Sequence, residues 1–203
     1  MKRKMQRFVT VSTAAALSLA MAVPGSAAYQ PEQKFQDVSR SAPYYEDVMD
    51  ANYYGLMAGV SGKTFDTEST ITRAMWVTML YKMAGQPAVQ SKDTFTDVKT
   101  GDWFAQAATW AVEQGITTGT SATTFSPDAT VTRAQVVTFL WRANGQPAAG
   151  NSGFVDVSSN AYYAKAVDWA FVNGITTGMD YGAFGPDTAC TRAQIVTFLY
   201  RAR

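Results

Sequence analysis

The chain has 203 residues, with 17 basic and 16 acidic side chains, a formal charge of +1, 47% hydrophobic content, one cysteine and no histidine. That composition excludes histidine-dependent catalysis, nitrogen–sulfur metal sites and an intramolecular disulfide. With no basic run beyond the first residues it also points away from nucleic acid as a partner, and it leaves stability to an apolar core.

The chain begins with a segment that reads as a secretory signal peptide, residues 1–28. Lys2, Arg3, Lys4 and Arg7 form its basic start, an apolar and small-residue run extends from Phe8 to Val23, and Ser26-Ala27-Ala28 suits cleavage. The run is interrupted by Thr and Ser and is short for a bilayer, and no later segment is apolar enough to span one. The expected mature chain has about 175 residues, with 13 basic against 16 acidic side chains, hence a formal charge of −3.

Three copies of one unit follow. FQDV starts at Phe35, FTDV at Phe95 and FVDV at Phe154. Each Phe stands 20 residues before a glycine (Gly55, Gly115, Gly174), and each glycine stands 17 before a threonine (Thr72, Thr132, Thr191). The linkers GQPAVQSKDT and GQPAAGNSG are turn-type connectors. The units are drawn at 35–88, 95–148 and 154–203.

Each unit is predicted to hold two helices. In the second copy the first helix runs from Trp103 to Gln114, with Phe104, Ala107, Ala108, Ala111 and Val112 at helical spacing and Gly115 as a left-handed terminator. A loop follows, plugged by Phe125 and turned at Pro127, with Asp128 (Asp187 in the third copy) as a turn former. The second helix starts at Thr-Arg-Ala-Gln. Thr132 with Gln135, and Thr191 with Gln194, form capping boxes, whereas Thr72 has Met75 in place of the Gln. Gly145 and Pro147 end that helix. Such a unit cannot bury both helices alone, so the second helices are expected at the centre of a mainly α fold, with the first helices outside.

Arg73, Arg133 and Arg192 occupy the first helical position, the wrong end of the helix dipole for a cation. Two readings stand about level. A guanidinium beside free helix N–H groups makes an anion site for carboxylate or phosphate. Alternatively, each arginine pairs internally with Asp37, Asp97 or Asp156 of the F-x-D-V motif. Trp76, Trp141 and Tyr200 on the second helices, and Trp110 and Trp169 on the first, read as core. Cys190, in the slot of Ile71 and Val131, reads as a small buried residue.

F-x-D-V, the aromatic at DWF or AYY, GITTG, F-x-P-D and TRAQ, in this order, resemble the S-layer homology domain, and the resemblance extends across residues 35–203. The resemblance implies a pseudo-threefold spindle around a central three-helix bundle, with grooves between its lobes. It also implies non-covalent attachment to a secondary cell-wall polysaccharide linked to peptidoglycan, bearing an acidic, commonly pyruvylated sugar, at the surface of a bacterium. The family's binding positions fall on Thr72, Arg73, Thr132, Arg133, Thr191 and Arg192, on the loop glycines Gly59, Gly119 and Gly178, and on the aromatics Trp103 and Tyr162. Glycines there would let a sugar approach the backbone. The family tryptophan is Pro43 in the first copy, and its glutamate is Met75, Gln135 and Gln194. The first groove is therefore expected to be weakest, with Arg133 and Arg192 contributing more than Arg73 and each of them exposed. No cofactor, metal or catalytic residue is implied. A self-assembling surface-layer subunit that contacts other surface-layer proteins is the alternative, although little chain follows the third copy to build a lattice. A glycosidase with paired carboxylates is a third reading, disfavoured because Asp37, Asp97 and Asp156 recur once per unit.

Overall fold

The computed structural model describes residues 33–90, 92 and 94–202; the signal segment read at 1–28 lies outside them. Six α-helices occur among the described residues: α1 (Tyr45–Tyr53), α2 (Arg73–Met83), α3 (Ala105–Glu113), α4 (Arg133–Ala143), α5 (Ala164–Val172) and α6 (Arg192–Arg201). The mainly α reading and two helices per unit hold. No helix among the described residues is long and apolar enough to cross a membrane.

The first helices of units two and three, α3 and α5, are short and alanine-rich, and their small side chains allow close approach. Ala107, Ala108 and Ala111 of α3 are buried, as are Ala166 and Ala170 of α5. The helix they approach belongs to the preceding unit: α3 packs on α2, α5 on α4, and α1 on α6. Tyr81 of α2 meets Trp110 of α3 with ring centroids 5.6 Å apart. Trp76, Leu80, Val137, Leu140, Ile195 and Leu199 of the second helices are almost fully enclosed.

The terminator glycines behave as their position dictates. Gly115 has φ +66. Its N–H bonds to Val112 O, and the Ile116 N–H bonds to Ala111 O. This pair of bonds closes the helix in a Schellman motif, and the same pairs recur at Gly55 and Gly174. α3 starts two residues later than predicted, because Trp103 and Phe104 lie in the turn closed by Ala105 N–H to Asp102 O. Trp103 thereby stays outside the helix and 68% exposed.

All three threonines cap the second helices. Thr72 Oγ1 accepts from Met75 N at 3.3 Å, and Thr132 and Thr191 form full capping boxes with Gln135 and Gln194. Thr132→Ala and Thr191→Ala should each lower stability by about 0.5–2 kcal/mol, with Thr72→Ala at the low end because Met75 returns no bond. Denaturant midpoints measured on the three variants check this, and three midpoints equal to the parent's would refute it.

The next two N–H groups of each second helix bond to the loop of another unit. Arg73 N and Ala74 N donate to Ala129 O and Pro127 O, Arg133 N and Ala134 N to Thr188 O and Pro186 O, and Arg192 N and Ala193 N to Ser69 O and Thr67 O. Short antiparallel bridges Thr72–Thr130, Thr132–Ala189 and Thr70–Thr191 lie beside them. The contacts therefore run from unit one to two, two to three, and three back to one.

Candidate ligand-binding grooves

The three arginines lie where the sequence places them, at the first turn, but they are not exposed. Their relative exposures are 2%, 3% and 5% for Arg73, Arg133 and Arg192. The helix N–H groups beside them are not free either, since the neighbouring loop takes two and the threonine cap a third. The picture of an exposed cation at an open helix end is corrected on both counts. Each guanidinium reaches into the next unit instead. Arg73 Nε donates to Phe125 O at 2.9 Å, Arg133 Nε to Phe184 O at 2.8 Å, and Arg192 Nε to Phe65 O at 2.8 Å. The cations also lie over aromatic faces. Arg73 is 5.0 Å from the Phe125 ring and 5.5 Å from Phe139, and Arg133 is 4.9 Å from Phe184 and 5.3 Å from Phe198. Arg192 lies 4.5 Å from Phe65. Burial lowers the pKa of all three guanidinium groups.

No direct bridge joins these arginines to Asp37, Asp97 or Asp156 among the described residues. The aspartates instead hold the same loop from the other side. Asp37 accepts from Phe65 N and Asp66 N, Asp97 from Phe125 N and Ser126 N, and Asp156 from Phe184 N and Gly185 N, all at 2.7–2.9 Å. Asp66, Ser126 and Gly185 have positive φ, which turns the two successive N–H groups toward one carboxylate. The backbone of one phenylalanine is thus clamped on both sides: its N–H by the aspartate of its own unit, its carbonyl by the arginine of the preceding one.

Burial alone would raise the Asp37 and Asp156 carboxyls, but their backbone donors outweigh it, helped by Arg192 and Arg133, and hold both below the usual 3.8. A carboxyl depressed on folding stabilises fully above its unfolded pKa, and that stability is lost as pH falls through the folded value. The denaturant midpoint should therefore decline below about pH 4, and less steeply in Asp37→Asn, which cannot titrate there. Parallel acid limbs in parent and variant would remove the clamp from the account.

The loop glycines also face inward. A Cβ on Gly59, Gly119 or Gly178 would strike the F-x-D-V ring, Phe35, Phe95 or Phe154, and a loop carbonyl. These glycines are needed because a phenyl ring occupies the space where their side chains would go. Gly178 nonetheless lines a groove of about 330 Å³. That groove brings together Arg133 of the second unit, Gly178, Thr191 and Gln194 of the third, and Pro43 of the first.

The S-layer homology domain model matches the chain at residues 34–74, 94–137 and 153–196. The chain belongs to the S-layer homology family. Among its relatives are a cell surface protein of Thermoanaerobacter kivui, 31% identical over 86% of this chain and 22% of the relative. A middle cell wall protein of Brevibacillus brevis is 32% identical over 73% of this chain and 13% of its own length. A cellulosome-anchoring protein of Acetivibrio thermocellus is 25% identical over 84% of this chain and 39% of its own. The chain thus spans a minor part of each of these relatives.

The S-layer homology repeats do not each own a groove. In the groove around Gly178, arginine, loop and aromatic position come from three different repeats. In the other two repeat junctions the corresponding register would group Arg192, Gly59, Thr72 and Met75 with Trp103, and Arg73, Gly119, Thr132 and Gln135 with Tyr162. The Arg192 Nη2–Ala58 O bond at 2.6 Å and the effect of the Arg73 charge on Tyr162 agree with that register. Pro43 lines the groove of Arg133, which Met75 of the same repeat does not line.

Two residues of GITTG went unnoticed in the sequence. Thr117 and Thr176 are buried, and each accepts from the loop glycine N–H, at 3.2 Å on Gly119 and 3.1 Å on Gly178. Arg133 Nη2 also reaches Thr176 Oγ1 at 3.5 Å. Their signal was the threonine two residues after the terminator glycine in repeats two and three, replaced by buried Met57 in repeat one. Trp76, Trp141, Trp110 and Trp169 are buried as read, but Tyr200 is not core: it is 40% exposed. Cys190 is fully buried, and burial pushes its thiol up to about 12, so it is an unreactive filler.

Proposed function

We propose that the chain is a non-catalytic anchoring module that holds a protein non-covalently on a bacterial cell wall, by gripping an acidic sugar of the secondary wall polysaccharide in its inter-repeat grooves. The observation that supports this most directly is the groove joining Arg133, Gly178, Thr191 and Gln194. It combines a fixed cation, hydroxyl and amide groups and an open floor, at the small end of the ~300–1,000 Å³ range of ligand sites. The names of the relatives, cell surface protein, middle cell wall protein and cellulosome-anchoring protein, fit that reading. In it, the buried guanidinium acts as a rigid charge held by Phe184 O, at no further entropic cost when the sugar arrives.

The test is retention of the mature chain on native walls and on walls stripped of the secondary polymer. Binding is expected only to the first, and equal retention on bare peptidoglycan would refute the reading. A finer expectation follows from the regrouping. The groove of Arg73, Gln135 and Tyr162 should be the strongest. Tyr162 is 60% exposed, so Tyr162→Ala should weaken wall affinity by about 0.5–1.5 kcal/mol with an unchanged melting temperature. An affinity equal to the parent's would remove Tyr162 from the site.

A further inference from the structure

A second pocket, of about 350 Å³, opens on the other side of Pro43, between α1 and α6. It shares Pro43 and Arg201 with the groove of Arg133 and Gln194, so the two adjoin along a common edge. The edge is low. At the equivalent positions of the other repeats stand Trp103 and Tyr162, large rings 68% and 60% exposed, where this repeat has only a proline.

The walls of this pocket are what the first repeat does not share with the others. Tyr45, Glu46 and Asp47 line it, where repeat two has Ala105, Gln106 and Ala107 and repeat three has Ala164, Lys165 and Ala166. Arg40 lines it where the others have Thr100 and Ser159. Asp47 also alters the facing helix. Thr78 and Thr138 bond their own helix at Ala74 O and Ala134 O, whereas Thr197 Oγ1 donates to Asp47 Oδ2 at 2.7 Å. Lys82 and Arg142 donate to Gly55 O and Ile116 O, whereas the corresponding Arg201 lines both cavities. The exposed ring of Tyr200 completes the wall.

Two guanidinium groups and two carboxylates balance in charge, so the pocket offers no net attraction for an ion. It does offer planar donors and acceptors in both senses beside an aromatic face, which is what a ring bearing several hydroxyls can use. We infer that this pocket is a second subsite, taking an uncharged sugar contiguous with the acidic sugar in the groove of Arg133, so that the Pro43 corner reads two units of the polysaccharide. The inference rests on the anchoring reading above.

The test uses the full mature chain and two probes cut from isolated wall polymer: the acidic sugar alone, and the acidic sugar with its neighbouring uncharged sugar. Calorimetry should show one site per chain that binds the two-sugar probe roughly tenfold tighter than the one-sugar probe. In Tyr200→Ala and in Arg40→Ala, both altered at exposed side chains and checked for an unchanged melt, the two probes should bind alike. Equal affinity of both probes for the parent, or a gain that survives in both variants, overturns the second subsite and leaves anchoring standing. Failure of both probes to bind the parent overturns both.

Discussion

Replacing Arg133 by alanine should cost about 3 kcal/mol of fold stability, well before any effect on a ligand is considered. The buried carbonyl of Phe184 would lose its donor, which costs about 1–3 kcal/mol, and the space between the Phe184 and Phe198 rings would empty. Part of this is offset, because the parent bears the desolvation of a buried cation. Arg133→Lys keeps the charge but lacks the planar fork that serves Phe184 O and the Thr176 hydroxyl together, so it should recover only part of the loss. Denaturant midpoints decide. A midpoint for Arg133→Ala equal to the parent's would show that the Phe184 clamp contributes nothing. A fall in wall binding in this variant cannot be assigned to a lost ligand contact unless binding is measured where the variant is still fully folded.

Gly119→Ala should be at least as damaging, at about 3 kcal/mol or more. Its Cβ would lie 2.5 Å from Thr124 O and 2.6 Å from the Phe95 ring, at φ +88. Positive φ costs about 1–3 kcal/mol for a residue with a side chain, and overpacking a closed core costs about 1–3 kcal/mol again. A graded series isolates the two effects. Gly115 has φ +66 with open space around it, so Gly115→Ala shows backbone strain alone. Gly62 has neither a positive φ nor a close neighbour, so Gly62→Ala should be neutral or slightly stabilising. If Gly119→Ala melts no lower than Gly115→Ala, the ring does not occupy the space assigned to it.

The local features were legible because their causes are local. Threonine caps need a donor three residues on, terminator glycines need a left-handed residue after a helix, and both are written within a few positions of Thr132 and Gly115. The fate of the arginines was not, because the groups that hold them are distant in the chain: Phe125 O lies 52 residues from Arg73, and Phe65 O lies 127 from Arg192. A cation placed in triplicate at the unfavourable end of a helix marks a special role, but the marking is the same for an exposed ligand site and a buried strut. The loop phenylalanine recurring seven residues before every Thr-Arg (Phe65, Phe125 and Phe184) was the available clue, since an aromatic plug and a guanidinium make a natural pair. The grouping of site residues was misread for a related cause. Sequence repeats are contiguous by definition, whereas the groove of Arg133 is assembled from three of them, so Pro43 and Met75 looked like defects of one site although only Pro43 lines that groove.

The joint that closes the ring has a mechanical consequence. Arg192 N and Ala193 N are held by Ser69 and Thr67, and α1 lies against α6, so the first and last repeats are buckled to each other. Separating the first repeat from the last has to open these hydrogen bonds and this packed helix pair together. An open row of repeats would fray from its ends under load; this one has to break at the clasp.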